Sequence, residues 1–251
     1  MTTAIMPGCE SFSADNGRLG VLVLHGFTGN PASMRSLAER IAQSGYSVEL
    51  PRLPGHGTSI EDMMTTDWSD WSGAAVAAFD ALAQRCERVG VVGLSMGGGL
   101  AAHVAEVRDG VAACVLINPL VKPPVKEMID GLNALLDAGL TTIESIGSDI
   151  KMEGSVEASY DATPLTCAAS LFEAMESVNA QLSDISAPTL LLSSREDHVV
   201  SSDNGDDVVE KVQGPVERIW LEDSYHVATM DNDKELVESA TISFFDRVMK
   251  Q

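Results

Sequence analysis

Residues 89–100 read Val-Gly-Val-Val-Gly-Leu-Ser-Met-Gly-Gly-Gly-Leu. The first six are a short continuous apolar run, the pattern of a strand buried on both faces. From Met96 to Val107 the residues are small and apolar, as in a helix packed closely against a sheet. Between the two lies Gly93-Leu94-Ser95-Met96-Gly97, or G-x-S-x-G. Glycines on either side of the serine permit a sharp strand-to-helix turn that lifts the hydroxyl above the sheet edge. There the amino end of the helix favours negative charge. A glycine-rich turn that merely packs helix on strand is the bland alternative. With a strand before it and a helix after it, the pattern makes Ser95 a candidate nucleophile.

Working outward, the same alternation continues in both directions. Val21–His25 is a second buried strand, ending in the loop Gly26-Phe27-Thr28-Gly29-Asn30-Pro31, and residues 32–44 have helical spacing. Ser47–Leu50 is a strand, and two prolines and two glycines make 51–57 a loop. Residues 68–85 are helical. Val111–Ile117, 188–193 and 216–221 are further strands, with helices at 203–212 and 233–249. This order predicts βαβ units, a mostly parallel doubly wound sheet, and a site at the carboxyl ends of its strands. No strand is expected between Asn118 and about Leu182. There Val125, Met128, Ile129, Leu132, Leu135 and Leu136 recur at helical spacing, as do Leu171, Phe172, Met175 and Val178. The expected division is a core of 1–118 and 183–251 with a helical cap, 119–182, inserted before the acid-bearing strand. Two ordinary crossover helices are the simpler alternative.

A serine nucleophile needs a base, and the base needs an orienting acid. Of the five histidines, His25 and His56 lie in loops that they would position. His103 is on the helix after Ser95 and faces away, and His198 directly follows an aspartate. His226 lies in a loop between the last strand and the last helix, at the edge where Ser95 stands, and is the candidate base. Asp197, after the strand at 188–193, is the candidate acid. Glu196 is its competitor, and Asp223 is too near His226 in sequence. The order Ser95, Asp197, His226 matches that of the α/β-hydrolases. The oxyanion hole would use the backbone N–H groups of Met96 and Phe27.

The 251 residues hold 16 Lys and Arg against 37 Asp and Glu, a formal net charge of −21. So acidic a chain lacks the positive face that nucleic acid or an anionic membrane requires. With 45% apolar and 21% charged residues, it has the composition of a globular protein. Cys9, Cys86, Cys114 and Cys167 are too scattered for a disulfide framework or zinc site, and Cys86 and Cys114 read as buried thiols. No metal or cofactor is called for. The opening residues lack a signal-peptide pattern and no run of about 18 apolar residues occurs, so a cytoplasmic location is expected. The acidic run Asp203–Asp207 reads as a solvated helix start.

LHGFTG (24–29), GHG (55–57), GLSMGGG (93–99), EDHVV (196–200) and SYHVAT (224–229) occur in this order over almost the whole chain. Together they resemble the bacterial monoacylglycerol lipases and the related thermostable carboxylesterases. The resemblance implies a capped α/β-hydrolase fold and supports Ser95, Asp197 and His226 as the triad, with Phe27 and Met96 as the oxyanion hole. The segment Ser145–Tyr160, SIGSDIKMEGSVEASY, is similar to that family's cap. It implies that Ile146 packs near the glycerol head of the substrate and that Glu157 hydrogen-bonds it. The partner is then monoacylglycerol or a similar small ester, met by transient contact with a neutral lipid interface. A crowd of aliphatic residues (Leu132, Leu135, Leu136, Leu140, Ile143, Ile146) would line an acyl tunnel. A broad-range carboxylesterase and, further off, an acyltransferase are the alternatives.

Overall fold

The computed structural model describes residues 3–145 and 147–251. Six strands form the parallel part of a seven-stranded sheet: β2 (Leu19–Leu24), β3 (Ser47–Leu50), β4 (Arg88–Leu94), β5 (Val111–Ile117), β8 (Thr189–Ser194) and β9 (Val216–Leu221). The seventh, β1 (Phe12–Ala14), pairs antiparallel with β3 at the edge. This short edge strand is absent from the sequence reading, because three half-exposed residues carry too little pattern.

Alternation along the central strands divides the core into two layers. Leu22, Leu24, Val91, Leu116 and Leu191 face one side, and Val21, Val23, Val92, Val115 and Leu190 the other. The first layer is covered by α3 (Trp68–Ala83), α4 (Met96–Val107), α6 (Leu165–Gln181) and α7 (Asp203–Lys211), and the second by α1 (Arg35–Gln43) and α8 (Lys234–Met249). Apolar burial on both faces is why these strands read as continuous apolar runs. One short helix, α2 (Ile60–Met63), follows the 51–57 loop.

Strand order is β1-β3-β2-β4-β5-β8-β9. The chain leaves β2 toward one edge and returns to build the other half from β4. Loops after β2 and β4 therefore part at the carboxyl edge, where doubly wound sheets place their sites.

Between β5 and β8 the structure departs from the expectation of helices alone. β6 (Thr142–Glu144) and β7 (Ala162–Pro164) form a small antiparallel pair, too short for periodicity to reveal. The two helices of this segment have different surroundings. Leu171, Met175 and Val178 of α6 belong to the same core cluster as Leu100 and Val104 of α4. By contrast α5 (Lys126–Asp137) buries only Leu132, which packs with Leu165 and Ala168 of α6 beside Phe27, Leu135, Leu136 and Phe172. Leu140 and Ile143 are exposed, and Ile146 lies outside the described residues.

All four cysteines are free and buried. The acidic run is ion-paired rather than merely solvated: Asp203 meets Lys122, Asp206 meets Arg218, and Asp207 meets Lys211. No described helix is long and apolar enough to cross a membrane.

Candidate active site

Ser95 occupies the turn from β4 into α4 with φ +58° and ψ −122°. A non-glycine residue is held there only when its surroundings leave no alternative. Those surroundings are backbone: a Cβ on Gly93 would stand 1.9 Å from the Gly97 carbonyl oxygen, and one on Gly97 would stand 2.3 Å from that of Leu24. Both glycines of the motif are thus required by close approach. The Ser95 amide donates to the Ile117 carbonyl at 3.0 Å, and its carbonyl accepts from Gly98 and Leu120 at 2.8 and 3.1 Å. Met96 is the first residue of α4, where amides lack an intrahelical acceptor. Gly26 lies against the serine, its hypothetical Cβ 3.4 Å from Ser95 Cβ, so Phe27 follows directly on a residue in contact with Ser95.

Asp197 and His226 meet at 2.8 Å, Oδ2 to Nδ1, with side chains only 5% and 7% exposed. The other oxygen, Asp197 Oδ1, accepts the amides of Val199 and Val200 at 2.9 and 2.8 Å. A carboxylate so held accepts a hydrogen bond from His226 Nδ1–H, which keeps the proton on Nδ1 and leaves Nε2 as the basic nitrogen. Asn118, with φ +41°, joins the site from the end of β5. Its Nδ2 donates to the His226 carbonyl at 2.8 Å, while Oδ1 accepts the Ser194 amide at 2.7 Å. One residue thus ties the end of β8 to the loop of His226, and its neighbour Ile117 holds the amide of Ser95.

The remaining acids and histidines fall elsewhere. Glu196 is exposed beside His198, and Asp223 pairs with Lys151 at 2.9 Å. His103 packs on Trp68 and beside the buried Glu106. His198 is half-exposed and donates from Nδ1 to Asp149 at 2.8 Å, which raises its pKa.

His25 and His56 are fully buried and position loops, as their places in the sequence suggest. His25 Nε2 accepts the Leu53 amide at 3.2 Å, so its Nδ1 donates to the Gly26 carbonyl at 3.0 Å. Only the neutral ring can do both, and burial lowers its pKa to about 3. His56 is lowered to about 4, again chiefly by burial. Below the ordinary histidine pKa of 6.5 the unfolded chain binds protons that the native state refuses. Stability from this source is therefore complete above that value and is lost as pH falls toward 4 and then 3. Each histidine contributes up to about 1.4 kcal/mol per pH unit in this window. Urea unfolding at about pH 7 and about pH 5 should show wild type losing on the order of 2 kcal/mol more than His56→Gln. Equal losses would mean that His56 is charged in the fold.

The strap from Ser148 to Tyr160 lies across this edge. Glu157 is half-buried, with Oε1 2.9 Å from where a Gly29 Cβ would be, the Ser33 hydroxyl beside it and His226 near enough to act on its charge. Burial raises its carboxyl pKa, against the opposing pull of His226 and Ser33. Asn30 Nδ2 bonds the Ala158 carbonyl, and the Tyr160 hydroxyl donates to the Gly55 carbonyl at 2.7 Å. Asp231, fully buried, accepts the amides of Lys151, Met152 and Tyr225 at 2.7–2.8 Å. The strap is therefore tied to the loop after β2, the 51–57 loop and the loop of His226. Asn118, Asp149 and Asp231 were not singled out in the sequence. Their roles depend on contacts with residues 49 to 108 positions away, and no local signal marks them.

The fold and the strained serine turn define an α/β-hydrolase. Residues 16–233 match the family described as "Serine aminopeptidase, S33", the Hydrolase_4 family. The chain belongs to this family and is a hydrolase. It is 39% identical over 249 residues to the thermostable monoacylglycerol lipase of Bacillus sp. (strain H-257), covering 96% of each chain. It is 24% identical to a carboxylesterase of Bacillus subtilis (strain 168), over 95% of this chain and 97% of that one. A solved structure reported with the metagenome-derived lipolytic enzymes LipS and LipT superposes with a TM-score of 0.93 at 39% identity, covering 97% of this chain and all of the other.

Proposed function

We propose that this hydrolase cleaves monoacylglycerol to fatty acid and glycerol through Ser95, His226 and Asp197. The observation that carries the reading is the buried Asp197–His226 pair at the same sheet edge as the strained turn of Ser95. The relationship to a monoacylglycerol lipase supports the choice of ester. His226 Nε2 takes the Ser95 proton as Oγ attacks the ester carbonyl. The amides of Met96 and Phe27 receive the oxyanion. Protonated His226 then gives its proton to the departing glycerol oxygen, leaving an acyl-enzyme. Water attacks the acyl group with His226 again as base, and the fatty acid leaves. Asp197 keeps the imidazole in the required tautomer and stabilises the imidazolium.

In this reading the segment 119–182 acts as a cap. Phe27, Leu132, Leu135, Leu136 and Phe172, packed together under α5, receive the acyl chain, and Glu157 binds the glycerol hydroxyls. Val125, Met128, Leu140, Ile143 and Val156 are exposed apolar residues of the same segment and make the transient contact with a neutral lipid surface. A net charge of −21 disfavours an anionic one. Four free cysteines suit a reducing compartment, and we place the enzyme in the cytoplasm.

The test is fatty-acid release from monoacylglycerol, diacylglycerol and the methyl ester of the same acid, by wild type and Glu157→Ala. Wild type should prefer monoacylglycerol to the methyl ester. Glu157→Ala should lose about 10-fold or more of that preference, equivalent to one hydrogen bond or two to the head. Equal turnover of both esters by wild type would indicate a broad carboxylesterase.

A further inference from the structure

Asp149 belongs to the strap, yet its carboxylate is spent on the two loops that carry the acid and the base. Oδ2 accepts the amide of His226 and the amide of His198, each at 3.1 Å. Oδ1 accepts from His198 Nδ1 at 2.8 Å, and the Asp149 carbonyl takes the Val227 amide at 3.1 Å. The side chain is only 11% exposed. Burial alone would raise its pKa, but the bonds from the His198 ring and from the two amides outweigh this and hold it lowered. It is thus a fixed anion whose hydrogen bonds go to His198, beside Asp197, and to the loop of His226. His226 is pinned at both ends of its backbone, its amide by Asp149 and its carbonyl by Asn118 at 2.8 Å. Asn118 follows directly on β5 of the sheet. Asp149 comes from the segment over it.

We propose that Asp149 is a positioning residue for catalysis, through which the strap holds Asp197 and His226 in register for attack by Ser95. This rests on the triad reading given above. Asp149 touches neither substrate nor the reacting atoms. It acts by fixing the residue after Asp197 and the backbone of His226 to one carboxylate, so that the two loops cannot move independently. A base displaced by about 1 Å loses on the order of 100-fold in rate, so the effect falls on kcat. An alternative role, shaping the strap for the glycerol head alone, would fall on KM.

The test compares wild type, Asp149→Ala, Asp149→Asn and Ser95→Ala in two assays. One is steady-state hydrolysis of monoacylglycerol. The other is inactivation by diisopropyl fluorophosphate, in which the serine oxygen attacks phosphorus, fluoride leaves and the base takes the proton. This small probe reports the serine and its base without occupying a glycerol site. Asp149→Ala should lower kcat and the inactivation rate together, by about 10- to 100-fold, with KM within about 3-fold. Asparagine can still accept both amides on its oxygen and donate to His198 Nδ1, so Asp149→Asn should recover both rates to within about 5-fold of wild type. Loss of folding in the alanine variant would leave the asparagine variant to decide. The proposal is overturned if Asp149→Ala is inactivated at the wild-type rate, if only KM changes, or if Asp149→Asn is as slow as alanine despite an unchanged melting temperature. Failure of the triad reading would look different: Ser95→Ala would then still react with the fluorophosphate.

Discussion

Ser95→Ala is expected to lower kcat for monoacylglycerol by about 10⁴- to 10⁶-fold while leaving the melting temperature nearly unchanged. The hydroxyl oxygen is the only heavy atom removed. Alanine has the same Cβ as serine and meets the same φ of +58°, so the strain of the turn is neither added to nor relieved. The packing that enforces the turn comes from Gly93, Gly97 and the Leu24 carbonyl, none of which the substitution touches. In the proposed mechanism what disappears is the nucleophile, and with it the acyl-enzyme. The amides of Met96 and Phe27, proposed to receive the oxyanion, remain, so a small residual rate over water should survive. Fatty-acid release by the purified variant, with a thermal melt alongside, checks both halves. A variant retaining more than a few per cent of wild-type turnover would require water to attack the ester directly, and Ser95 would lose its role.

Asp197→Asn is expected to reduce kcat by about 10⁴-fold with little change in KM. The physical reason lies in how the carboxylate is divided. Oδ1 accepts two amides, those of Val199 and Val200, and only Oδ2 faces His226. An asparagine must keep its oxygen toward the amides and so turns its NH2 toward His226 Nδ1. That nitrogen can accept only if it is unprotonated, which moves the ring proton to Nε2. The imidazole then points a proton rather than a lone pair at the serine. The side chains are nearly the same size, so the fold should hold, and the loss measures the tautomer. Kinetics at several substrate concentrations separate kcat from KM. A loss below about 10-fold would show that His226 keeps its tautomer without Asp197, and the acid would have to be sought elsewhere.

The sheet and the site differ in how far the sequence reveals them. Strands buried on both faces must be continuously apolar, and the helices beside them must show an apolar stripe. Val111–Ile117, Val216–Leu221 and Met96–Val107 therefore have the same limits in the sequence and in the structure. Short elements escape this logic. β1, β6 and β7 are three residues each, less than two periods of alternation. Their pairing is decided by partners remote in the chain. The same holds for α6, whose apolar stripe is equally legible whether it faces a cap or the sheet. Only packing shows Leu171, Met175 and Val178 against α4.

Among the candidate functional groups, Ser95 is marked by its own neighbours, because a tight turn demands glycine nearby. Asp197 and His226 are marked by standing after strands whose ends share one edge. By itself the sequence determined the alternating order of strands and helices, the place of the serine turn and the candidates for acid and base, because these depend on periodicity and local sterics. Only the tertiary structure decided which carboxylate meets His226, that His25 and His56 are neutral struts, and that the strap residue Asp149 and the buried Asp231 hold the loop of His226. Those are hydrogen bonds between residues brought together by folding, and a donor or acceptor carries no trace in the sequence of the partner it will find.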